Sequence, residues 1–435
     1  MTISIVGHGY VGLVSACVFA DFGNTVYVIG HTQEKLDRLQ GGDPIIYEPG
    51  LKEVLEKNNK AGRLIFTTEY EKAISSSEIV FITVGTPPKE NGDADLSTVL
   101  SVAEKIAKNL SSSHFTVVSC KSTVPVGTNK KIEQIIKENK KTSVDFAVAS
   151  CPEFLREGSA LHDTFQADRV VIGSESQKAI DLLLKIHSPI PGKMVVTDLA
   201  SAELIKYTSN SVLAMKISFA NLISFYCEKT GANVELVLDA VGFDQRIGRV
   251  FMDPGAGYGG SCFPKDVKAL ISTGKELKIN TQLLQAVDDI NERARMNLFE
   301  KIIAHAPGKN IAVWGLSFKP NTDDIRFAPS VDIIRELLEK GYTLTVYDQE
   351  GIPNIKKIFG DKLTYAENAL SAIKDVDALV ILTDWNEFKQ ADLKTVRENM
   401  KQPVIFDGRN IYDLKTMKDL QFTYISTGRE SIFHS

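Results

Sequence analysis

Short runs of β-branched and apolar residues alternate with stretches of helical apolar spacing along roughly the first 196 residues. The runs predict strands at Ile3–Val6, Thr25–Ile29, Ile79–Thr83, Thr116–Ser119, Phe146–Ala149 and Arg169–Ile172. Between them, stretches such as Leu96–Leu110 and Thr128–Glu138 have apolar residues at the spacing of an amphipathic helix. This alternation is typical of βα units, and it predicts a parallel sheet with helices on both faces.

The pattern changes from about residue 199. Ala200–Thr230 is a long helical stretch without strand signals, and more helical sequence follows to about residue 306. After Pro307-Gly308 the βα pattern returns, with strands predicted at Asn310–Trp314, Leu344–Asp348, Ala378–Leu382 and Val404–Phe406. We therefore expect two α/β domains bridged by a helical middle, and the outer domains could be structural echoes of one another.

The composition is that of an ordinary globular chain. A length of 435 residues exceeds what one core usually supports, so two or three domains are expected. The formal net charge of −5 gives no electrostatic reason to expect binding to nucleic acid or to an acidic membrane. An anionic ligand would need a local basic site.

The cysteines point to reduced thiols. They are scattered and lack metal-ligand spacing, so we expect neither a disulfide framework nor a bound metal: Cys17, Cys120, Cys151, Cys227 and Cys262. The chain starts directly in a predicted strand, without a basic and then apolar leader, and has no apolar run near the ~20 residues of a membrane span. A soluble, cytoplasmic protein is expected.

A glycine motif follows the first predicted strand. Gly7, Gly9 and Gly12 form a GxGxxG pattern that also includes Tyr10 and Val11 and opens a predicted helix. Glycines at these positions permit a tight turn and close approach of the backbone to a pyrophosphate at the helix N-terminus. The motif in this context predicts a dinucleotide site.

The end of the second predicted strand lacks the acidic residue that usually hydrogen-bonds the ribose 2′-hydroxyl of NAD. Gly30, His31 and Thr32 stand there instead, and Lys35 lies on the next turn. One interpretation is tolerance of NADP, or preference for it, because no carboxylate repels a 2′-phosphate. The other is NAD bound through its hydroxyls without the acid.

Threonines follow two further predicted strands. Thr86 lies in Val84-Gly85-Thr86-Pro87-Pro88, and Thr123 lies in Lys121–Gly127. Because ligands of open α/β sheets bind beyond the carboxyl ends of strands, both threonines are candidate neighbours of the cofactor.

Cys262 is the candidate nucleophile. The glycine-rich segment Gly255–Gly260 leads to Ser261-Cys262, and Pro264 suits the first turn of a helix. A thiol near a helix N-terminus is favoured as thiolate, and Lys265 adds positive charge. Asp266 lies one turn on and can face the same site. In a nicotinamide enzyme such a thiol can add to an aldehyde and yield a thioester after hydride loss.

Two further groups of residues suit that chemistry. Glu153 and Glu157 lie four residues apart in a segment after a predicted strand, where they could orient water or act as a base. Lys206 and Asn210 are one turn apart on the long helix, where an ammonium and an amide could stabilise a developing alkoxide.

With these motifs assembled, the chain resembles the UDP-glucose/GDP-mannose dehydrogenase family nearly end to end. The resemblance rests on motifs in the same order: Gly7–Gly12, Tyr47-Glu48-Pro49-Gly50-Leu51, Gly85-Thr86-Pro87, Pro152–Gly158, Lys206 with Asn210, Gly248, Gly255–Asp266, Lys319–Arg326 and Asp407-Gly408-Arg409. The string Gly-Gly-Ser-Cys-Phe-Pro-Lys-Asp is the most specific of these. Gly30 departs from the family, which commonly has an acidic residue there.

The resemblance implies a four-electron oxidation of the C6 alcohol of a nucleotide sugar, with two successive nicotinamide cofactors and one water. NAD is the cofactor usual in the family, and the missing acid at Gly30 makes NADP plausible. Cys262 would be the nucleophile, and Lys206 with Asn210 would stabilise oxyanions. Asp266, Thr123 and Glu157 would hold water or move a proton.

The resemblance also implies the binding residues. Cofactor contacts would come from Gly7, Gly9, Tyr10, Val11, Gly12, Gly30, His31, Thr32, Lys35, Thr86, Thr123, Glu157, Lys265 and Arg326. The nucleotide sugar would contact Glu153, Phe154, Leu155, Arg156, Lys206, Asn210, Phe251, Gly255, Tyr258, Gly259, Lys319 and Arg409. Arg246 would reach the diphosphate in the neighbouring subunit of a homodimer that is joined along the long helix.

The resemblance further implies an α/β fold with two Rossmann-like domains. Their expected bounds are 1–198 for the dinucleotide domain, 199–306 for the helical segment and 307–435 for the UDP-sugar domain. UDP-glucose is the expected substrate, with GDP-mannose and UDP-N-acetylmannosamine as alternatives. A two-electron dehydrogenase, which has no use for Cys262, and a silent nucleotide-sugar-binding protein are the other classes left open.

Overall fold

The computed structural model describes residues 1–141 and 143–434. It divides into two compact units, residues 1–209 (unit 1) and 210–435 (unit 2), of which Ser435 lies outside the described residues. The three-part division expected from the sequence, with bounds at 198 and 306, stays a prediction.

The strands are β1 Thr2–Val6, β2 Thr25–Ile29, β3 Leu64–Thr67, β4 Ile79–Ile82, β5 Thr116–Cys120, β6 Phe146–Ser150, β7 Arg169–Gly173, β8 Lys193–Thr197, β9 Asn310–Trp314, β10 Thr343–Tyr347, β11 Thr364–Tyr365, β12 Ala378–Ile381, β13 Val404–Asp407 and β14 Thr423–Ser426.

The helices are α1 Tyr10–Asp21, α2 Gln33–Gln40, α3 Leu51–Lys60, α4 Tyr70–Ser75, α5 Ser97–Asn109, α6 Thr128–Asn139, α7 Ala160–Phe165, α8 Gln177–His187, α9 Leu199–Thr230, α10 Val234–Gly242, α11 Phe263–Glu276, α12 Gln282–His305, α13 Pro329–Glu339, α14 Ile352–Phe359, α15 Ala369–Ala372, α16 Asn386–Lys389, α17 Leu393–Asn399 and α18 Leu414–Asp419, with a 3-10 turn at Gly360–Lys362.

The sheet of unit 1 has the strand order β3-β2-β1-β4-β5-β6-β7-β8. Neighbours from β3 to β6 are parallel, β7 meets β6 antiparallel at the single pair Ser150 and Gly173, and β8 is parallel to β7. The order of the strands reverses between β1 and β4, and a crevice that binds ligands opens at such a point.

Unit 2 repeats this topology. Its sheet has the order β11-β10-β9-β12-β13-β14, and every neighbouring pair is parallel. Counted from the first strand of each sheet, this is the order of the first six strands of unit 1. The expected structural similarity between the two outer domains is confirmed.

Helices cover both faces of each sheet. In β4, Ile79 and Phe81 pack in the core that contains Leu13 of α1, whereas Val80 and Ile82 pack in the core that contains residues of α5. In unit 2, β9 alternates in the same way between two cores. This arrangement confirms the predicted α/β fold, because consecutive strand residues point to opposite faces.

All ten predicted strands are present, with bounds that differ by at most one residue at either end. Four strands were not predicted, which are β3, β8, β11 and β14. The long helix α9 begins at Leu199, one residue before its predicted start. Among the described residues, no helix is both long enough and apolar enough to cross a membrane.

Candidate active site

The glycine turn of unit 1 has the geometry of a pyrophosphate cradle. Gly7 has a φ of +118°, which favours glycine, and its N–H donates to Ile29 O at 2.9 Å. A Cβ on Gly12 would lie 2.1 Å from Gly7 O, whereas a Cβ on Gly9 would meet nothing within 4 Å. The first and third glycines therefore serve the turn and its packing, and the open space at the second admits a ligand to the N-terminus of α1. The turn fits NAD.

Tyr10 and Val11 begin α1, and the Tyr10 side chain joins the turn to a second segment. Its hydroxyl donates to Glu48 Oε2, which also accepts from Gly158 N at 2.6 Å. Burial and the Glu48 carboxylate raise the pKa of Tyr10. This network holds the segment that carries Glu157 against the glycine turn, within unit 1.

The end of β2 is basic. Gly30 is followed by the exposed His31, the half-buried Thr32 and the exposed Lys35. The imidazole of His8, the second residue of the glycine motif, lies 5.1 Å from that of His31 between ring centroids. His31, a predicted cofactor residue, thus lies beside His8, which was not among the predicted residues.

Thr86 and Thr123 come together as expected from their places at strand ends. Thr86 Oγ1 donates to Thr123 O at 2.9 Å. The segment that follows Thr123 is held by Glu203 of α9, whose carboxylate accepts from Gly127 N and Asn129 N, both at 2.7 Å. Burial raises the pKa of Glu203, although these donors lower it in part. Glu203 therefore caps α6 and holds the segment beside Thr123.

Lys206 and Glu153 form a buried ion pair in unit 1. Lys206 Nζ lies 3.0 Å from Glu153 Oε1, with side chains 4% and 7% exposed. The other carboxylate oxygen accepts from Leu155 N at 2.8 Å. The ammonium also lies 5.4 Å from the centroid of the Phe154 ring. A buried cation with a carboxylate partner can stabilise a developing oxyanion if substrate approaches it.

Of the residues that follow Phe154, Leu155 and Glu157 are at least partly buried, whereas Arg156 is exposed. The half-buried Leu155 packs against the core of unit 1, and Glu157 is buried. Arg156 is exposed and binds Asp163 through two hydrogen bonds of 2.8 and 2.7 Å. In this conformation its guanidinium is therefore committed to Asp163, and its role in substrate binding stays a prediction.

In unit 2, Cys262 is the N-cap of α11, with Pro264 in the first turn. Its carbonyl accepts from Asp266 N at 2.9 Å, and its side chain is partly exposed. The predicted position at a helix start is confirmed. The other four cysteines are buried.

Asp266 gathers two of the predicted residues of unit 2. Its side chain is 1% exposed, and Oδ2 accepts from Asn210 Nδ2 at 2.6 Å. Oδ1 is paired with Lys265 Nζ. A carboxylate held by an amide and an ammonium one turn from a thiol has a fixed orientation, as proton transfer requires.

The glycine-rich segment before Cys262 is shaped by backbone packing. A Cβ on Gly255 would lie 2.4 Å from Gly408 O, and one on Gly259 would lie 2.4 Å from Phe327 O. Tyr258 is buried, its pKa is raised by burial, and its hydroxyl has no hydrogen-bond partner among the described residues. Phe251 has a φ of 65° and packs near Phe263. The two glycines are therefore required for packing, independently of any substrate contact.

The predicted basic residues of unit 2 already have partners within it. Arg246 binds Asp244, and Arg326 binds Asp324 at 2.7 Å. Arg409 donates to the carbonyls of Leu382, Gly257 and Phe318. Lys319 lies 5.4 Å from the ring of Phe318. Their roles in binding cofactor or nucleotide sugar stay predictions.

Three residues of these sites were not among the predicted ones: His8, Glu48 and Glu203. Their partners lie far along the chain, so local spacing does not show them. Two signals were available: Glu48 lies in the family motif Tyr47–Leu51, and Glu203 precedes Lys206 by three residues on α9 and so shares its face.

Three family models match the chain in order. They are the NAD binding domain of the UDP-glucose/GDP-mannose dehydrogenase family over residues 1–191, its central domain over 200–293 and its UDP binding domain over 312–414. UDP-glucose 6-dehydrogenase TuaD of Bacillus subtilis is 44% identical over 99% of this chain and 94% of its own length. The UDP-glucose 6-dehydrogenase of Rhizobium meliloti is 42% identical over 99% of this chain and 100% of its own.

Solved structures of nucleotide-sugar dehydrogenases are also similar to this chain. A UDP-glucose dehydrogenase from Pyrobaculum islandicum superposes with a TM-score of 0.91 at 37% identity, over 99% of this chain and 98% of that one. A UDP-D-ManNAc dehydrogenase from Pyrococcus horikoshii gives 0.85 at 27% identity, over 99% of each chain. The cradle at Gly7–Gly12, the Cys262 helix start and these matches lead to one conclusion: the chain belongs to the UDP-glucose/GDP-mannose dehydrogenase family, with NAD as its cofactor.

Proposed function

We propose that this protein is a UDP-glucose 6-dehydrogenase that oxidises the C6 alcohol of UDP-glucose to the carboxylate of UDP-glucuronate in the cytoplasm. The observation that carries the proposal is Cys262 at the N-terminus of α11, one turn before the buried Asp266. Identity of 37% to 44% with UDP-glucose dehydrogenases, against 27% with a UDP-D-ManNAc dehydrogenase, favours glucose as the sugar.

The role of Cys262 follows from the second oxidation. NAD supplies the hydride acceptor when it is bound. Once C6 is an aldehyde, the Cys262 sulfur adds to it, and the carbonyl oxygen takes up a proton to complete a thiohemiacetal. Loss of the remaining C6 hydride and of that proton gives a thioester. Water then adds to the thioester and the carbon–sulfur bond breaks. One proton of the water returns to the thiol, and the other is released with the carboxylate.

Other predicted catalytic groups supply charge and protons. Lys206 stabilises the oxygen of each intermediate, and Glu153 keeps that ammonium in place at 3.0 Å. Asp266 receives or returns protons, with Asn210 and Lys265 fixing its two oxygens. Thr123 and Glu157 hold the hydrolytic water. In this proposal, the remaining predicted residues bind the cofactor and the nucleotide sugar.

A panel assay tests the substrate. UDP-glucose, GDP-mannose and UDP-N-acetylmannosamine are each supplied with NAD and with NADP, and reduced nicotinamide is counted by absorbance against sugar consumed. We expect UDP-glucose to give the highest kcat/KM, with two reduced cofactors per sugar. A preference for another sugar would assign the sister specificity. One reduced cofactor per sugar would exclude the thioester route.

We also propose a homodimer joined along α9. Val212, Phe219 and Tyr226 lie seven residues apart on this helix, and each is at least 44% exposed. A repeat of seven places such side chains along one face, and an exposed apolar stripe of this kind is typical of a helix-to-helix interface. Arg246, whose side chain is 88% exposed, would reach the site of the other copy.

Mixing two inactive variants tests the dimer. In a twofold dimer, a hybrid of Arg246→Ala and Cys262→Ala subunits keeps one complete site if Arg246 acts across the interface. We expect an equimolar mixture that exchanges subunits to recover about a quarter of wild-type activity, since half the dimers are hybrids with one working site. Sedimentation monitors exchange and dimer formation. Exchange without recovered activity would refute the role of Arg246 across subunits.

A further inference from the structure

A basic cluster lies where dinucleotide domains usually place a carboxylate. In unit 1, the His8 and His31 rings are 5.1 Å apart between centroids, with His8 6% exposed and His31 exposed. Neither imidazole forms a hydrogen bond to another described residue. Thr32 is the N-cap of α2, and its side chain makes no capping hydrogen bond. The strand end therefore presents two imidazoles and the N-terminus of a helix.

The packing around Gly30 explains why no acidic residue stands at the end of β2. A Cβ on Gly30 would lie 2.7 Å from Leu36 Cδ2 and 2.9 Å from His8 Nδ1. The space that an aspartate would need is thus occupied by Leu36 and His8. For this reason Gly30→Asp would perturb packing as well as charge, and a substitution at the exposed His31 is the cleaner probe.

We propose that His8, His31 and Lys35 form a binding site for the 2′-phosphate of NADP, so that this protein accepts NADP in addition to NAD. The general rule is that a carboxylate at the end of the second strand selects NAD, whereas a cation there accommodates the 2′-phosphate. Here the acid is replaced by three nitrogen donors, and the free N–H groups at the start of α2 add a further anion site. The proposal rests on the proposed function for the role of the dinucleotide as oxidant.

The neighbouring charges leave these donors available. Arg38, the next cation on α2, is paired with Asp43 at 2.7 Å. The carboxylates of α2 nearest to Lys35 are Glu34 and Asp37, and Asp37 accepts from Gln33. The charged groups that act on the pKa of His8 are His31 and Lys35, both basic. A phosphate would therefore meet the ammonium of Lys35 and the two imidazoles, with Glu34 and Asp37 as the acidic residues of α2.

The site makes NADP binding dependent on pH. Burial, and then His31 and Lys35, lower the pKa of His8 from its ordinary value. The His8 ring is therefore largely neutral at neutral pH. A phosphate dianion binds more tightly to the protonated imidazole than to the neutral one. Affinity for NADP relative to NAD should rise as pH falls from 8 towards about 6, where the 2′-phosphate itself begins to take up a proton.

Fluorescence titration with NADPH and NADH tests the site without any sugar. The readout is the ratio of the two dissociation constants at pH 6.5, 7.25 and 8.0. We expect wild-type protein to bind NADPH at least as tightly as NADH at pH 6.5. His31→Asp should shift the ratio against NADPH by at least about tenfold, as loss of a charge-assisted contact requires. Lys35→Gln should shift it in the same direction, and Lys60→Gln, an exposed lysine at the end of α3, should not.

The outcomes separate this inference from the proposed function. A ratio that His31→Asp and Lys35→Gln leave unchanged would overturn the 2′-phosphate site even if UDP-glucose is oxidised with NAD. A pH-independent ratio would exclude a protonated His8 from the site. Tight NADPH binding that these variants weaken would support the site even if UDP-glucose is not a substrate. Circular dichroism of each variant confirms that it is folded.

Discussion

Replacing Cys262 by serine is expected to lower kcat for UDP-glucose oxidation by at least about 10³-fold, the scale on which loss of a covalent nucleophile is measured. The hydroxyl oxygen is a weaker nucleophile than the thiolate, and the ester it would form is cleaved less readily than a thioester. The helix start at Phe263 favours negative charge on sulfur but does not ionise a hydroxyl at neutral pH. The loss should therefore fall on the second oxidation and on hydrolysis.

Cys227→Ala is the matched control, because it removes a buried thiol of the same unit that the proposed mechanism does not use. We expect its kcat to stay near the wild-type value. Steady-state turnover and the number of reduced cofactors per sugar are measured for both variants, with thermal unfolding to confirm folding. Wild-type turnover by Cys262→Ser would exclude the covalent route and leave an ordinary two-electron dehydrogenase as the better description.

The fold was predictable wherever a strand is a buried apolar run. All four residues of β4 and all five of β5 are buried, and both were predicted. The edge strands β3 and β8 are largely half-buried or exposed, so their sequences lack that signal. The strand β11 has two residues, and β14 has four in which only Tyr424 and Ile425 are apolar. Such strands are defined by their neighbours in the sheet.

Candidate site residues could be predicted from short stretches of sequence, whereas their hydrogen-bond and ion-pair partners could not. The glycine turn and the Cys262 helix start each depend on about a dozen consecutive residues, and both are present in the structure. Asn210 and Asp266 are 56 residues apart, and Glu203 and Asn129 are 74 apart. No periodicity relates such pairs, because they meet only after the sheet and α9 have formed. For the same reason the sequence indicated Lys206 as a candidate without showing that Glu153 is its counter-ion.

The buried ion pair of Lys206 and Glu153 should affect both the stability of the protein and its activity. Lys206→Met should lower the free energy of unfolding by about 3–5 kcal/mol, because it leaves the buried Glu153 carboxylate without its cation. Adding Glu153→Gln removes the stranded charge, and a neutral pair of similar volume should recover most of that stability. Urea unfolding of the two single variants and the double variant measures both steps.

Activity should behave differently from stability in the same series. If Lys206 stabilises the oxyanion, kcat should fall by about 10²- to 10³-fold in Lys206→Met and stay low in the restabilised double variant. The matched control is the ion pair of Lys301 and Glu228 in unit 2, with side chains 16% and 19% exposed. Its Lys301→Met variant should lose stability yet keep kcat in the folded fraction. Recovery of kcat together with stability in Lys206→Met/Glu153→Gln would show that Lys206 only supports the fold, and the oxyanion would then need another cation.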